Sequence, residues 1–279
     1  MIITDAQIHV WAKDSPERPW PSYGFDFNHG LGDYSTDHVL GEMDAAGVDR
    51  AILVPPSWEG DRNDLALAAA ADHPNRFAIM GRFDVRDPSR VEELGTWRQQ
   101  PGMLGIRATF GRGASKEWLN DGGTDWFFAA AQEAGVPLMV FAPYQTDSLR
   151  SVAQRYPALR LTIDHLNIWA DLRDEEIVPV VDETLTLADL DNVAVKATSL
   201  PCLVTEPYPW PLLKEQVRRV TDAFGAERVF FGSDLSRLPC DYADLVRFFT
   251  EELDFLSADE LASVMGLGVQ RWLGWDVEG

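Results

Sequence analysis

Cysteine is scarce in this sequence of 279 residues, which contains only Cys202 and Cys240. Two cysteines are too few for the disulfide scaffold that holds small secreted domains together. Their scarcity is typical of a protein that folds in a reducing compartment, and 46% of the residues are hydrophobic, enough for a sizeable core. We therefore expect a cytoplasmic protein that is stabilised by its core.

Basic residues are also few: 24 lysines and arginines stand against 45 aspartates and glutamates, which gives a formal net charge of −21. This charge argues against nucleic acid or an anionic membrane as a partner. It allows an anionic small-molecule substrate, because a local cluster of arginine and lysine can override the average. The sequence lacks an apolar run of membrane length and a basic-then-apolar leader, so we expect a soluble protein.

Short apolar runs, in contrast, recur along the chain and alternate with stretches of helical spacing. This alternation predicts a parallel sheet with right-handed crossovers. Eight such units in about 250 residues favour an α/β fold of the (β/α)8 TIM barrel type, as a single domain over residues 1–279. No Gly-x-Gly-x-x-Gly follows the first run, which weakens a dinucleotide-binding alternative. The predicted strands are residues 2–4, 51–54, 77–82, 104–108, 138–142, 159–163, 193–196 and 229–232.

Several predicted helices carry start and stop signals. Thr124 is placed to cap the start of one helix, and Gly47 and Gly135 are placed to end two others. Ser257 and Glu260 have the spacing of a capping box. The helices from about residue 241 onward are expected to pack on the outside of the barrel.

Polar side chains gather at the carboxyl ends of the predicted strands, where barrels of this type have their active sites. The segment DAQIHVW, residues 5–11, illustrates this. A strand that ends in His-x-His presents two imidazoles on one face, but here Gln7 takes the first place and only His9 remains. Six of the eight strands end in a group that can ionise. The strand-end candidates are Gln7, His9, Trp58, Arg82, Asp84, Arg107, Phe141, Tyr144, His165, Lys196 and Asp234.

The other histidines are weaker candidates. His38 and His73 lie in helical stretches, whereas His29 lies in a loop where it could face solvent or a pocket. That loop, residues 12–34, is longer than the ~12–15 residues of an ordinary connection. Its aromatic residues fit either a wall of the pocket or a simple anchor to the barrel, and they are Trp20, Tyr23, Phe25 and Phe27.

The chain resembles the amidohydrolase-related family of barrel hydrolases. It is most similar to the branch with 2-pyrone-4,6-dicarboxylate lactonase and L-fuconolactonase-like enzymes. The resemblance rests on an ordered set of segments spread over nearly the whole chain, none of which is specific alone. They are DAQIHVW at strand one, GVPLMVFA at strand five, LTIDHLN at strand six, NVAVKAT at strand seven and VFFGSD at strand eight.

The resemblance implies a metal site from which ligands are missing. Metal-dependent members use His-x-His from strand one, histidines from strands five and six, and an aspartate from strand eight. Here Gln7 and Phe141 stand at two histidine positions, and Arg107 occupies the region of a bridging lysine. His9, His165 and Asp234 remain, and three ligands can hold a Zn²⁺ ion. Because an amide is a poor zinc ligand, we favour no metal, with a single divalent metal such as Zn²⁺ as the alternative.

The resemblance also implies a mechanism, since some members of this branch hydrolyse lactones without metal. Asp234 would be the general base for water, a role that depends on its position because an ordinary aspartate is a weak base. His165 and His9 would polarise the carbonyl or stabilise the oxyanion. Other strand-end groups would bind substrate, anionic groups among them. These are Gln7, Arg107, Arg82, Lys196, Trp58 and Tyr144.

Two alternatives stay open. One is a mononuclear metal enzyme of the same superfamily, either a hydrolase or a decarboxylase of an aromatic acid. The other is a barrel that has lost catalysis and only binds a small molecule. We further predict that a positive pocket lies in the acidic surface, with Arg107 as its deepest arginine, and that the aromatic loops favour a homodimer.

Overall fold

The computed structural model describes residues 1–26, 28–111 and 113–275. Eight strands form one parallel sheet whose spatial order is the order of the chain, which confirms the predicted (β/α)8 barrel. Phe27 of the first loop and residues 276–279 lie outside the described residues, so the extension of the domain to residue 279 stays a prediction. The strands are β1 (Thr4–Ile8), β2 (Arg50–Leu53), β3 (Phe77–Gly81), β4 (Met103–Thr109), β5 (Leu138–Phe141), β6 (Leu161–Ile163), β7 (Val193–Ala197) and β8 (Val229–Phe231).

Helices connect the strands and cover the outside of the sheet. None of the helices in the described ranges is long and apolar enough to cross a bilayer. Two π-helical segments, Phe248–Glu252 and Ser263–Leu267, extend helices near the C-terminus. The α-helices are α1 (Thr36–Ala46), α2 (Asp64–Asp72), α3 (Val91–Leu94), α4 (Asp125–Glu133), α5 (Thr146–Arg155), α6 (Val178–Leu185), α7 (Pro211–Phe224), α8 (Tyr242–Arg247), α9 (Ala258–Ala262) and α10 (Gly268–Leu273).

The prediction for the first strand was wrong in position, although the other seven agree within two residues at either end. β1 runs over Thr4–Ile8 and not over residues 2–4. Asp5, a polar residue, is fully buried inside this strand. Hydrophobic patterning missed it because the buried carboxylate is satisfied by specific donors, which only the tertiary structure supplies.

Asp5 joins the first strand to the last. Its carboxylate accepts hydrogen bonds from the Ser233 backbone N–H, at 2.9 and 3.0 Å, and from the Tyr242 hydroxyl. One residue further, the Asp234 N–H donates to the Gln7 carbonyl at 2.9 Å. Gly232 makes this approach feasible, since a Cβ there would lie 3.0 Å from Asp5 Oδ1. A side-chain carboxylate and one backbone hydrogen bond thus join the first and last strands of the barrel.

The helix caps follow the sequence signals with one exception. Gly47 closes α1 in the left-handed region, and Ser257 with Glu260 forms the predicted capping box. Thr124 precedes α4, but its hydroxyl donates to the Trp118 carbonyl at 2.6 Å and does not cap the helix. The Trp118 carbonyl lies in the loop before α4 and competes with the helix for the Thr124 hydroxyl. The conformation of that loop could not be predicted from the capping signal.

The core has an outer and an inner layer. The outer layer packs the helices against the sheet, and the inner one fills the barrel with side chains such as Ile52, Met80 and Phe230. Leu273 of α10 and Trp275 belong to the inner cluster. The expectation that all helices after residue 241 lie outside the barrel was therefore wrong, because α10 packs across its amino-terminal end. The carboxyl end stays open for a site.

Candidate active site

A cavity of about 70 Å³ lies at the carboxyl ends of the strands and brings together eight of the eleven strand-end candidates. Asp84 lines a neighbouring cavity, while Lys196 and Tyr144 line neither. The described lining residues are Gln7, His9, His29, Ser57, Trp58, Arg82, Arg107, Thr109, Phe141, His165, Ile168, Ala170, Ser199, Leu203, Asp234 and Arg237.

His9 follows β1 and is held in one orientation. Its Nδ1 lies 2.5 Å from the Val54 carbonyl, which can only accept, so the proton of the neutral ring lies on Nδ1. Its Nε2 faces the cavity, 3.4 Å from the amide nitrogen of Gln7 and 3.1 Å from Asp234 Oδ1. Nε2 is therefore the ring atom that faces Asp234 and the interior of the site.

Gln7 is held by Lys196. The Lys196 ammonium donates to Oε1 of Gln7, and this fixes the amide so that its NH2 group is the part directed at His9. Gln7 is buried, with 1% of its surface exposed. Its predicted role as a substrate contact stays a prediction, but the structure gives it a second contact, because its amide nitrogen lies 3.4 Å from Nε2 of His9.

Lys196 itself lies beneath the cavity and not in its wall. It is fully buried, and its Nζ lies 2.8 Å from Asp164 Oδ1. Lys196 therefore does not line the cavity, and its predicted contact with substrate stays a prediction. A long side chain at the end of β7 points into the barrel, where Asp164 offers a charged partner that the sequence reading overlooked.

Asp164 is the centre of this buried charge network. Its second oxygen accepts from Nε of Arg107 at 2.6 Å, so one carboxylate bridges two cations. Burial alone would raise the pKa of Asp164, but Lys196 and Arg107 hold it well below its usual range. The bridge fixes Arg107 on the cavity wall, where its Nη1 also donates to Thr109 at 2.7 Å.

Asp234 follows β8 and turns its side chain into the cavity. Its backbone is left-handed, with φ 54°, a conformation that costs energy for a residue other than glycine. Oδ2 accepts from the Ser199 hydroxyl at 2.6 Å, while Oδ1 has no hydrogen-bond donor in the described parts of the chain. Burial would raise the pKa of Asp234, but His9 and the nearby histidines hold it well below its usual range. The carboxylate is thus ionised, with one oxygen free.

His165 follows β6, also with a left-handed backbone at φ 54°. Its Nδ1 lies 2.7 Å from the Thr198 hydroxyl, and its ring meets Phe141 edge-on at 5.5 Å. Burial lowers the pKa of His165 to about 3, so the imidazole is neutral near pH 7. The Thr198 hydroxyl can donate to Nδ1, and in that tautomer the ring carries its proton on Nε2, from which it can donate a hydrogen bond to a substrate oxygen.

His29 enters the site from the first loop, which the sequence left undecided. The loop is anchored by Trp11, whose indole N–H donates to the Gly32 carbonyl at 2.7 Å, and by Trp20, which donates to Ala12 at 3.0 Å. His29 Nδ1 lies 2.7 Å from the Ser236 hydroxyl. Burial lowers the pKa of His29 to about 3. The long loop therefore acts as a wall of the cavity as well as an anchor.

The candidate metal ligands differ from those implied by the resemblance. In the described residues, the ligand atoms of His9, His29 and Asp234 lie within 4.8 Å of one another, and this group does not include His165. The alternative ligand set of His9, His165 and Asp234 stays a prediction, and the structure brings His29 closer to His9 and Asp234. A strand-by-strand reading missed His29 because it belongs to no strand.

Two arginines form the wall opposite Asp234. Arg82 is as buried as Arg107, with 6% and 7% of their surfaces exposed, and the prediction that Arg107 is the deepest arginine stays a prediction. Arg82 donates to the Pro55 carbonyl at 2.8 Å and to Thr109 at 3.2 Å, and it forms no ion pair within the described ranges. Burial lowers the pKa of Arg82 to about 9, so it stays charged near pH 7. Its positive charge is available to a ligand.

An outer cavity of about 570 Å³ adjoins the inner one and shares Arg82, Arg107, Thr109 and Ser57 with it. Trp58 lines the inner cavity, and its indole N–H is buried without an acceptor in the described part of the protein. Tyr144, by contrast, is 64% exposed and lies outside both cavities, so the structure does not support its predicted contact with substrate. It sits past the end of β5 at a left-handed φ of 64°, which turns it to solvent.

Several site residues were missed by sequence reasoning. Asp164 stands next to His165 in the quoted segment LTIDHLN, so its position after β6 was a usable signal. Ser199 follows β7 in the same way. Arg237, whose Nη1 lies 3.8 Å from Asp234 Oδ2, had no signal, because it comes from the short helical turn after β8.

Comparison with known proteins agrees with this geometry. The sequence model of the Amidohydrolase family matches residues 4–274. The L-fucono-1,5-lactonase of Burkholderia ambifaria is 29% identical over 277 residues, which cover 94% of this chain and 92% of the relative. The match confirms the resemblance drawn from the strand-end segments.

Solved structures show the same fold. An amidohydrolase from Burkholderia multivorans with bound zinc superposes with a TM-score of 0.82 at 22% identity, covering 98% of this chain and 99% of the other. A probable 2-pyrone-4,6-dicarboxylic acid hydrolase from Acinetobacter baumannii, with citric acid bound, gives 0.78 at 17% identity, with coverage of 98% and 100%. With a family match over nearly its whole length and a barrel of the same form, the chain belongs to the amidohydrolase family.

Proposed function

We propose that this hydrolase opens a lactone or a similar cyclic ester without a metal ion, with Asp234 as the general base for water. The observation that carries the proposal is the Asp234 carboxylate, which is buried and ionised and keeps one oxygen free at the cavity wall. The relatives named as L-fucono-1,5-lactonases, at 29% and 26% identity, support a sugar lactone as the substrate class.

The reaction begins with a water molecule held at the free oxygen of Asp234. The carboxylate is a weak base, but it is held next to the water. It takes the proton as the water oxygen bonds to the carbonyl carbon, when that proton has become more acidic. Nε2 of His9 lies 3.1 Å from the same oxygen, so the imidazole can share that proton with the carboxylate. The pair can therefore hold the proton during the lifetime of the tetrahedral intermediate.

Collapse of the intermediate breaks the bond between the carbonyl carbon and the ring oxygen. The ring oxygen takes the proton back from Asp234 and His9, so the product is a hydroxy acid and no other reactant is consumed. His165 donates a hydrogen bond from Nε2–H to the carbonyl oxygen as negative charge develops there and keeps its proton, which is how a neutral imidazole acts as an electrophile. These three side chains account for both proton transfer and charge stabilisation.

The substrate is a small molecule whose reacting carbonyl enters the inner cavity while the rest occupies the outer one. Arg82, charged and without an ion pair in the described residues, would bind a carboxylate or hydroxyl oxygen. The unpaired indole N–H of Trp58 supplies a second donor. Arg107 shares the Asp164 carboxylate with Lys196, so these three side chains together keep one net positive charge beside the cavity. An anionic substrate and a homodimer both stay predictions.

A metal-dependent hydrolase or decarboxylase is the second candidate, and the grouping of His9, His29 and Asp234 is the observation that favours it. These residues fit a divalent ion, because two imidazoles and a carboxylate are a common zinc donor set and Asp234 Oδ1 lacks a donor among the described residues. A bound ion would supply Lewis acidity. A barrel that only binds a ligand explains less, since it needs no free carboxylate oxygen beside a fixed imidazole.

The test is a panel of sugar lactones and aromatic carboxylic acids, assayed by proton release and by CO2 release, with and without a chelator. We expect chelator-treated protein to hydrolyse at least one lactone. Asp234→Asn should lose about 10²–10⁴-fold in kcat, the usual contribution of a general base. Asp241→Asn, an exposed change before α8, is the matched control and should keep full activity. Lactonase activity that disappears with the metal, or survives in Asp234→Asn, contradicts the proposal.

A further inference from the structure

Two further cavities lie side by side at the amino-terminal end of the barrel, away from the candidate active site. Their volumes are about 460 and 310 Å³, and Arg160 and Trp272 line both of them. Arg160 stands directly before β6 and Arg228 directly before β8, while Trp272 belongs to α10, which packs across this end. We call the two cavities together the amino-terminal cleft.

Positive charge is concentrated in this cleft although the chain as a whole is strongly acidic, with a formal net charge of −21. Four arginines line the cleft, and none of them forms an ion pair with a carboxylate in the described parts of the chain. Two carboxylates, Asp191 and Glu227, line the larger cavity, and the smaller one has none among its described lining residues. A cleft lined mainly by one sign of charge concentrates ions of the opposite sign. The four arginines are Arg98, Arg160, Arg228 and Arg271.

Arg160 is oriented by α10 and keeps one edge of its guanidinium group free. Its Nη1 donates to the carbonyls of Trp272 at 2.6 Å and Arg271 at 3.4 Å, and its guanidinium carbon lies 5.7 Å from the centre of the Trp272 ring. Nε and Nη2 make no hydrogen bond with the described residues. These two N–H groups form the edge that binds a carboxylate or a phosphate through two parallel hydrogen bonds.

Other groups of the cleft add donors or charge. Oε1 of Gln132 accepts from the Ala158 N–H at 3.0 Å, and the NH2 group of this amide has no acceptor in the described residues. The buried indole N–H of Trp272 also has no acceptor there. Arg228 donates from all three of its nitrogens to backbone carbonyls, so it contributes charge but no free nitrogen. Because carbonyls carry only partial charges, the full positive charge of Arg228 still acts on the cleft.

We propose that the amino-terminal cleft binds a small anion that carries at least two negative charges on carboxylate or phosphate groups. Arg160 would bind one group through its free edge, and Arg98 and Arg271 would bind or attract a second. More than one negative charge is favoured because four arginines face only two carboxylates in the cleft. The site lies at the opposite end of the barrel from Asp234 and does not depend on the proposed reaction.

Calorimetry at low ionic strength tests the site, with inorganic pyrophosphate and malonate as probes and acetate as the singly charged reference. We expect pyrophosphate or malonate to bind this cleft with one-to-one stoichiometry and more tightly than acetate, and the tighter of the two identifies the preferred group. Arg160→Gln should weaken this binding about 10–100-fold, because hydrogen bonds to a charged group are lost. Arg271→Gln, an exposed change, should weaken it roughly 2–5-fold.

Two control variants locate the binding. Arg218→Gln removes an arginine of α7 that lies 3.8 Å from Glu215, and it should bind the probes as the wild type does. Arg82→Gln removes the arginine of the active-site wall and should also leave this binding unchanged. Thermal unfolding checks that each variant is folded. If Arg160→Gln is not, Arg160→Lys retains a donor for the α10 carbonyls, lacks the two-donor edge, and should still bind more weakly than the wild type.

The outcomes that would overturn the site are specific. Neither probe binding more tightly than acetate would overturn it, and so would equal affinities in the wild type and the folded Arg160 variants. Binding that is lost in Arg82→Gln and kept in Arg160→Gln would place the anion in the active site instead. That result would overturn the amino-terminal site and leave the proposed lactone hydrolysis untouched.

Discussion

Replacing Lys196 with methionine tests whether this lysine binds substrate or holds the barrel interior together. Its ammonium donates to Asp164 at 2.8 Å and to Gln7, and none of its surface is exposed. Removing one partner of a buried ion pair costs about 3–5 kcal/mol, because the other charge stays buried. Arg107 still pairs with Asp164 in the variant, so we expect the lower end, roughly 3 kcal/mol.

The assay is thermal and urea unfolding with Lys214→Met as the control. Lys214 also pairs with an aspartate, Asp254, at 2.7 Å, but the side chains are 27% and 71% exposed. An exposed pair contributes about 0–1 kcal/mol, so the control should unfold almost as the wild type does. Lys196→Met should lower Tm by about 6–12 °C at this chain length.

Kinetics supply the second readout. Loss of Lys196 frees the amide of Gln7, which then no longer fixes His9, so kcat should fall while KM changes little. A Tm equal to that of Lys214→Met, together with a higher KM, would refute this reasoning and return Lys196 to the substrate-binding group.

Three further predictions concern Arg82 in the cavity wall, Gly232 at the junction of the first and last strands, and the dependence of stability on pH. Arg82→Gln should raise KM for carboxylate-bearing lactones about 10–100-fold relative to neutral lactones. Arg247→Gln, an exposed change, should leave both KM values unchanged. Equal effects of Arg82→Gln on the two kinds of lactone would contradict a contact between Arg82 and the carboxylate. Gly232→Ala should lower the free energy of unfolding in urea by about 1–3 kcal/mol, because its Cβ would lie 2.5 Å from Thr198 Cγ2. Stability equal to that of the wild type would contradict close packing at this position. Burial raises the pKa of Asp5 to about 6. Between about pH 4 and 6 the folded state therefore binds one more proton than the unfolded state. The free energy of unfolding should fall by about 3 kcal/mol as the pH rises through that window. Urea unfolding across this range should show that slope in wild type and not in Asp5→Asn; the same slope in both would mean that another group titrates.

The sequence by itself determined the architecture and about half of the cavity wall. Eight apolar runs alternating with helices specify a parallel barrel, because each strand buries both faces and each helix returns the chain to the same end. Polar residues just after those runs must then meet at one end. This is why His9, His165 and Asp234 could be placed together without coordinates, although their roles could not be tested that way.

Only the tertiary structure decided which charged groups face the cavity and which lie below it. Lys196 and Asp164 are distant in sequence, and their pairing in the barrel interior depends on strand register. His29 reaches the site because tryptophans anchor its loop to the barrel. The loop has no hydrophobic periodicity, so its position could not be predicted from the sequence. Asp5 could be buried in β1 because Ser233 and Tyr242 supply donors from the far end of the chain. The pattern of hydrophobic residues predicts whether a position is buried. It does not identify the distant partners that stabilise a buried charge, because only the folded chain brings them close.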